Sequence, residues 1–211
     1  MKGLDGSHDF FHIQRVVALA RRIGSMERNV NMEVVELGAL LHDVGDWKYS
    51  GSETTGPEKA RLWLESQNYD SSLISKVIKI ISGVGFKNEL GMTRRDAEEL
   101  AKSLPELAVV QDADRLDAMG AVGVSRAFTY GGTKNRPLHD PSIPFLTDLP
   151  SKEEYMKQHS QNSPTIFHFY EKLLHLKELM KTQSGKQLAE GRHKYMESFL
   201  EQFFAEWDGI R

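Results

Sequence analysis

Apolar residues recur along this chain at intervals of three and four, the spacing that puts side chains on one face of an α-helix. The first such stretch starts at Phe10 and closes at Gly24, and a second follows Asn31, which can cap its N-terminus. That second stretch leads directly to His42 and Asp43. Strand-like alternation never persists for more than a few residues. The pattern therefore predicts an all-α protein.

Turn and capping residues indicate where the later helices begin and end. The third predicted helix is 57–64, with Pro57 in its first turn, and the fourth is 71–82, capped by Asp70. The capping pair Thr93 and Asp96 opens a fifth helix, and a sixth runs from Pro105 toward Phe128. Two more are predicted at 151–181, with a break near 163–164, and at 184–207. Gly131 to Pro150 is polar and contains four of the seven prolines, so we interpret it as a surface loop. A loop of that length is either functional, such as a lid, or disordered.

Length and composition narrow the classes of protein that this chain can belong to. A length of 211 residues suits one domain with a sizeable core. The net charge of −3 provides no basic field for a nucleic-acid backbone, and the absence of cysteine excludes disulfides and thiolate metal sites. We find neither a stretch apolar enough to span a membrane nor the apolar region of a signal peptide. We expect a cytoplasmic protein without nucleic-acid or membrane partners.

Histidine and aspartate are placed where a metal ion would use them. His42 and Asp43 end a mostly apolar run, His12 lies thirty residues upstream, and an acidic cluster lies far downstream. The acids of that cluster are Asp112, Asp114 and Asp117. Imidazole nitrogen and carboxylate oxygen together suit a divalent first-row ion. A buried carboxylate such as Asp43 is costly without a partner, so we predict a site at which three helices converge.

These residue types also have simpler interpretations. Most single histidines on amphipathic helices are packing or surface residues. We assign four histidines to that group: His139, His159, His175 and His193. The three acids of the cluster would equally be solvated or paired with Arg115 if no cation gathered them.

At these positions the sequence resembles the HD-domain metal-dependent phosphohydrolases, whose pattern is H…HD…D with the last Asp in A-D-x-L. The pattern selects four metal ligands, His12, His42, Asp43 and Asp114. Longer blocks resemble the bacterial YpgQ/YedJ-like subgroup, and they are 8–16, 40–48, 111–120, 126–132 and 168–174. The resemblance runs from about Ser7 to Trp207.

That resemblance implies a fold, a reaction and a cofactor. The fold would be a single-domain helical bundle over 1–211, with the HD motif region at about 8–130 and C-terminal helices at about 151–207. For the subgroup, the reaction is hydrolysis of nucleoside triphosphates to monophosphate and pyrophosphate. Two-metal members carry further histidines after the HD pair, and 82–87 has none, so we expect one divalent ion. Manganese is the expected ion, with Mg, Fe, Co, Ni and Zn left open.

Neighbouring residues are candidates for the remaining chemistry. Asp46 follows Asp43 by three positions and would orient or deprotonate the attacking water, unless it is a turn residue or a partner of Lys48. His8 precedes His12 by four positions and would support that ligand or donate a proton. Substrate phosphates need cations, and the candidates are Lys48, Lys87, Arg115 and Arg15, the last on the same helix face as His12. The alternative for each cation is a solvated surface role.

Other functions use the same motif. A 5′-nucleotidase would release orthophosphate, and a nucleotide phosphodiesterase would release a monoester without orthophosphate or pyrophosphate. A non-catalytic HD module would sense a nucleotide without turnover. In each case the partner is a small nucleotide, and a homodimer is left open.

Overall fold

The structure is a computed structural model that describes residues 6–7, 9–44, 54–90, 92–145, 149–151, 153–154 and 163–210. Over these residues the regular elements are helices and no strand occurs, which confirms the all-α prediction. The chain forms two compact units, one of residues 10–114 and the other of 1–9 with 115–211. That residues 1–211 make one domain stays a prediction. In the described part, no helix is both long and apolar enough to cross a bilayer.

The unit of residues 10–114 contains six helices in its described part and most of a seventh. They are α1 (Phe10–Gly24), α2 (Met32–Leu41), α3 (Thr55–Ser66), α4 (Ser71–Gly83), the short α5 (Phe86–Glu89), α6 (Arg94–Ser103) and α7 (Pro105–Asp117), whose last residues belong to the other unit. The predicted caps are confirmed, because the side chains of Asn31, Asp70 and Thr93 accept hydrogen bonds from the first turns of α2, α4 and α6. Sequence patterning did not predict α5.

Helix α2 lies at the centre of this unit, packed against α1 and α4. Gly38 makes the second contact close, since a Cβ atom there would lie 3.0 Å from two side-chain carbons of Ile80. Two buried side chains of α7 then tie it to its neighbours. Glu106 accepts a hydrogen bond from the backbone N–H of Asn31 at 3.0 Å, and Gln111 donates to the carbonyl of Gly83 at 3.0 Å. These contacts hold α7 against the start of α2 and the end of α4.

The other unit contains α8 (Gly120–Thr133), the short α9 (Phe167–Glu171), a 3₁₀ turn (Leu173–His175) and α10 (Gln183–Trp207). Helix α8 packs against α10. Their contact is aromatic, with ring centroids 5.8–6.3 Å apart among Phe128, Phe169, Phe199 and Phe203. Such rings bury large apolar areas and favour tilted or offset pairs.

The prediction of one helix from Pro105 toward Phe128 is wrong. Helix α7 ends at Asp117, Met119 is extended, and Gly120, the first residue of α8, has a φ of +68°. Glycine is the residue that adopts this left-handed conformation without strain. The guanidinium of Arg192 on α10 donates to the carbonyl of Leu116 in the last turn of α7, which also accepts a hydrogen bond from the backbone N–H of Met119 at 3.1 Å.

Two further boundaries also differ from prediction. Helix α8 continues through Gly131 and Gly132, which the pattern assigned to a loop. Gly131 allows Thr165 to pack closely against α8, since a Cβ atom at this position would collide with the hydroxyl of Thr165. In place of the predicted long helix, residues 167–180 form α9 and a tighter 3₁₀-type path. Leu173 and Leu176, three residues apart, are both buried, as that tighter period requires. The rest of the predicted helix lies largely outside the described residues.

Candidate metal centre

Three helices of the 10–114 unit bring the predicted ligands together. His12 lies on the buried face of α1 with Ile13 and Val16. Helix α2 ends at Leu41, so that His42 and Asp43 lie in the turn that follows. This helix end lets two adjacent residues approach the same point, although side chains inside a helix diverge by about 100° per residue. Asp114 comes from α7, one turn after the Gln111 tether.

The donor atoms of these residues form a compact group. The Nε2 atoms of His12 and His42 lie 3.3 Å apart. The Asp43 carboxylate is 3.3 Å from His12 Nε2 and 3.5 Å from His42 Nε2, and Asp114 Oδ1 is 3.6 and 3.8 Å from the same two atoms. Both imidazoles are only 1% exposed, whereas the Asp43 and Asp114 side chains are 20% and 33% exposed. The carboxylates therefore form the side that solvent reaches.

The backbone sets the tautomer of His42. Its Nδ1 atom lies 2.8 Å from the carbonyl oxygen of Ala39, one turn earlier on α2. A carbonyl only accepts, so Nδ1 carries the hydrogen, and in the neutral ring Nε2 presents its lone pair to the cluster. Metal-bound histidines use this arrangement to orient the ring.

These atoms fit a divalent ion. Ligand atoms bound at about 2.0–2.2 Å to one ion lie about 3–4 Å from each other, which matches the separations in this cluster. Two neutral imidazoles and two carboxylates also supply the nitrogen and oxygen donors that first-row ions accept. Among the described residues, His12, His42 and Asp114 form a group of possible metal ligands whose donor atoms all lie within 4.8 Å. Asp43 borders this group on the side of both imidazoles.

The other acids of the predicted cluster have different surroundings. Asp112 is fully buried. Asp117 is also buried, and its carboxylate forms an ion pair with Arg126 at 3.0 Å. Arg126 in turn donates to the backbone carbonyl of Ser7 at 2.8 Å. Of the three aspartates, Asp114 is the one that lies with the two histidines.

The remaining candidates lie on three different helices or outside the described residues. Arg15 is half-buried on α1. Lys87 is buried on α5. Arg115 is buried and donates to the carbonyl of Leu179 at 2.7 Å. Three candidates lie outside the described residues: His8, Asp46 and Lys48.

Sequence reasoning missed the two supports of this cluster, the Ala39 carbonyl and the Gln111 side chain. The first is a backbone carbonyl, which every residue type has, so the sequence gives no sign of its role. The second has a weak signal, since Gln111 precedes Asp114 by three positions and an amide on an apolar helix face needs a buried partner.

Comparison with known proteins places this geometry in a family. The HD domain family matches residues 10–119, which include the three helices of the cluster. The chain belongs to the HD-domain family. Like other HD domains, it presents an H…HD…D set, here carried by α1, the end of α2 and α7. The resemblance read from the sequence is thereby confirmed.

Individual relatives extend the similarity of this HD protein beyond the matched region. It is 34% identical to YpgQ of Bacillus subtilis (strain 168), over 96% of this chain and 86% of that one. The crystal structure of YpgQ in complex with ADP is similar with a TM-score of 0.71 and 32% identity, covering 97% of this chain and 92% of that chain. A crystal structure of an HD-superfamily hydrolase from Bacillus thuringiensis is similar with a TM-score of 0.69 and 39% identity, covering 95% and 87%. The protein thus has the fold of HD-superfamily hydrolases.

Proposed function

We propose that this protein is a metal-dependent phosphohydrolase that converts nucleoside triphosphates to nucleoside monophosphate and pyrophosphate. The observation that carries the proposal is the convergence of two buried imidazoles, whose Nε2 atoms lie 3.3 Å apart, with two partly exposed carboxylates that each lie 3.3–3.8 Å from both of these nitrogens. A nucleotide as substrate is supported by the relative YpgQ, which was crystallised with ADP. Manganese is the proposed ion.

His12, His42, Asp43 and Asp114 would hold one divalent ion. When bound, it supplies Lewis-acid chemistry toward a phosphoryl oxygen and a water molecule. The buried histidines contribute neutral nitrogen donors, and the two carboxylates offset the double positive charge. Because the carboxylates form the solvent-accessible side, substrate and water enter there.

The rest of the reaction uses neighbouring side chains. We propose that Asp46 takes a proton from water while the water oxygen bonds to the α-phosphorus. The bond from that phosphorus to the oxygen bridging the β-phosphate then breaks, and its electron pair leaves with pyrophosphate. His8 is the proposed proton donor to this leaving group.

Cations stabilise the charge of the triphosphate in this proposal. The proposed residues are Arg15, Lys48, Lys87 and Arg115. Lys87 is buried, and a buried ammonium is held only where an anion or hydrogen-bond acceptors compensate the loss of water. Arg115 already donates to Leu179, so its contribution would come from the charge of a guanidinium held in one orientation.

Product analysis tests the proposal. The full chain is freed of metal with a chelator, supplied with manganese and incubated with several nucleoside triphosphates, and the products are separated by ion chromatography. We expect pyrophosphate and monophosphate in equal amounts, and a loss of activity greater than about 100-fold in Asp43→Asn and His42→Ala. His175→Ala, a histidine far along the chain from the motif, is the control and should retain activity.

Other products would replace the proposal with a different function. Orthophosphate released from a nucleoside monophosphate, with the triphosphates left intact, would indicate a 5′-nucleotidase. Nucleotide binding without turnover would indicate a sensing module. Unchanged hydrolysis in both Asp43→Asn and His42→Ala would remove the metal centre from the mechanism.

A further inference from the structure

Asp114, the metal ligand that α7 supplies in the proposed function, lies in the last turn of that helix, which ends at Asp117. The backbone carbonyls of a last helical turn have no N–H partner further along the helix. The groups that bind those carbonyls therefore help to fix the turn, and with it the direction in which the Asp114 carboxylate points.

The chain itself binds two carbonyls of this turn. The backbone N–H of Ala118 donates to the carbonyl of Arg115 at 3.0 Å, and that of Met119 donates to the carbonyl of Leu116 at 3.1 Å. Both bonds span three residues, as in a 3₁₀-helix, so they tighten the end of α7. At Met119 the backbone is extended and the helix is already over.

A side chain from α10 gives the Leu116 carbonyl a second donor, the Nη1 group of Arg192. A hydrogen bond from a charged donor is stronger than one between neutral groups, and a cation is favoured at the C-terminal end of a helix by the helix dipole. Leu116 is fully buried, so bulk water does not compete for this carbonyl. Arg192 thus caps the helix that carries Asp114.

The chain after α7 is shaped to admit Arg192. A Cβ atom at Gly120 would lie 3.1 Å from Arg192 Cγ, 3.2 Å from its Cβ and 3.5 Å from its Cα. Since the Cα atom belongs to the backbone of α10, it moves only if that helix moves. Glycine at position 120 therefore lets the stem of Arg192 pack directly against the turn that follows α7.

We propose that Arg192 is a positioning residue for the metal centre: by holding the Leu116 carbonyl, it keeps the last turn of α7 in the conformation that brings Asp114 to the histidines. Asp114 Oδ1 lies 3.6 Å from His12 Nε2 and 3.8 Å from His42 Nε2. Ligand atoms around one ion lie about 3–4 Å apart, so a turn that opened would carry this oxygen out of reach of the ion. The inference rests on the proposed function in that Asp114 binds the ion, and Arg192 acts through α7 alone.

Manganese affinity tests this role. The full chain is freed of metal with a chelator and titrated with manganese chloride, and the free ion is measured by its electron paramagnetic resonance signal. We expect Arg192→Met to weaken manganese binding about tenfold, as loss of a support of a metal ligand does. Arg192→Lys retains a charged donor and should bind manganese within about threefold of the unchanged protein. Lys194→Met removes an exposed cation from the same helix, and this matched control should bind manganese as the unchanged protein does.

A double-mutant cycle separates positioning from stability. In an Asp114→Ala background, Arg192→Met should weaken manganese binding no further, because the ligand that Arg192 positions is already absent. A cap that only stabilised the fold would weaken binding by the same factor in both backgrounds. Circular dichroism establishes that each variant is folded, and Arg192→Gln, which retains an uncharged donor, replaces Arg192→Met in the cycle if the latter does not fold.

The spectrum of the bound ion provides a second readout, because it depends on which ligands surround the manganese. At saturating manganese we expect the bound spectrum of Arg192→Met to resemble that of Asp114→Ala, and the spectrum of Arg192→Lys to resemble that of the unchanged protein. A bound spectrum of Arg192→Met identical to that of the unchanged protein would contradict the positioning role.

Failure of this inference is distinguishable from failure of the proposed function. Manganese affinity that is unchanged in Asp114→Ala would remove Asp114 from the metal centre and so overturn both. Affinity that falls in Asp114→Ala but is unchanged in Arg192→Met, or that Arg192→Met lowers equally in both backgrounds, would overturn the role of Arg192 alone and leave the metal centre in place.

Discussion

His12 Nε2 and His42 Nε2 lie 3.3 Å apart across the contact of α1 with α2, although thirty positions separate them in the sequence. The rings meet edge to face, 70° between their planes, so each directs a nitrogen to the same point. His42 is held there by its bond to Ala39, and His12 by burial on α1. The two imidazoles alone therefore offer two nitrogen ligands to one ion.

Manganese should stabilise the folded protein through these imidazoles. A ligand that binds only the native state at 100 times its Kd adds about 2.7 kcal/mol to the free energy of unfolding. We expect Tm to rise with manganese in the unchanged protein and in His175→Ala, but not in His12→Ala or His42→Ala. Differential scanning fluorimetry measures the shift. A full manganese shift in His42→Ala would rule out the assigned ligands.

Two aspartates three positions apart on α7 should respond to the same substitution in different ways. Asp114→Asn removes one carboxylate from the cluster and should weaken manganese binding at least tenfold, with little change in the free energy of unfolding. Asp117→Asn breaks the buried pair with Arg126 and should cost about 3 kcal/mol of stability while manganese binding persists. Calorimetry and urea unfolding measure the two effects. The reverse outcome would exchange the roles of the two residues.

The close contact of α2 with α4 should be sensitive to one methyl group. Gly38→Ala places a Cβ atom 3.0 Å from Ile80, a β-branched side chain that moves little, and should cost about 1–3 kcal/mol. Because α2 leads to His42, metal affinity should fall as well. Gly191→Ala on α10 meets nothing within 4 Å and should instead stabilise the protein by about 0.5–1 kcal/mol. Urea unfolding measures the free energy of unfolding of both variants. Equal changes in the two variants would contradict the packing argument.

The cap of α4 should make part of the stability depend on pH. Hydrogen bonds from the Ser72 hydroxyl and from the backbone N–H groups of Leu73 and Ser72 lower the pKa of Asp70. Since the folded-state pKa lies below the unfolded value of about 3.9, this stabilisation is complete above that pH and is lost as the pH falls through the folded pKa. At pH 7 we expect Asp70→Ala to lower Tm by about 2–4 °C and Asp70→Asn, an equally good cap, to preserve it.

At acidic pH the contribution of the Asp70 cap should become smaller than at pH 7. On titration from pH 7 to below 3, the difference in Tm between the unchanged protein and Asp70→Ala should shrink, because the protonated carboxyl is a weaker acceptor. The Asn variant has no charge to lose at this position, so its difference from Asp70→Ala should stay. A constant difference for the unchanged protein would mean that the Asp70 charge contributes nothing.

Local sequence determined the starts of three capped helices and the residue types of the centre. Asn31, Asp70 and Thr93 were readable as caps because a short polar side chain bonds to N–H groups only two or three residues away. The residue types of the H…HD…D set indicated a metal site, because few other arrangements favour an aspartate after an apolar run.

Tertiary structure decided where helices stop and which side chains meet. The break at Gly120 depends on contacts made from α10, and the tight path after Lys172 depends on burying Leu173 and Leu176, so neither is visible in a local window. Likewise Asp112, Asp114 and Asp117 are alike as residues, and only packing sends one of them to the histidines. Hydrogen bonds within one helical turn join residues that are close in the sequence, so the sequence predicts them. Contacts between distant residues depend on how separate helices pack.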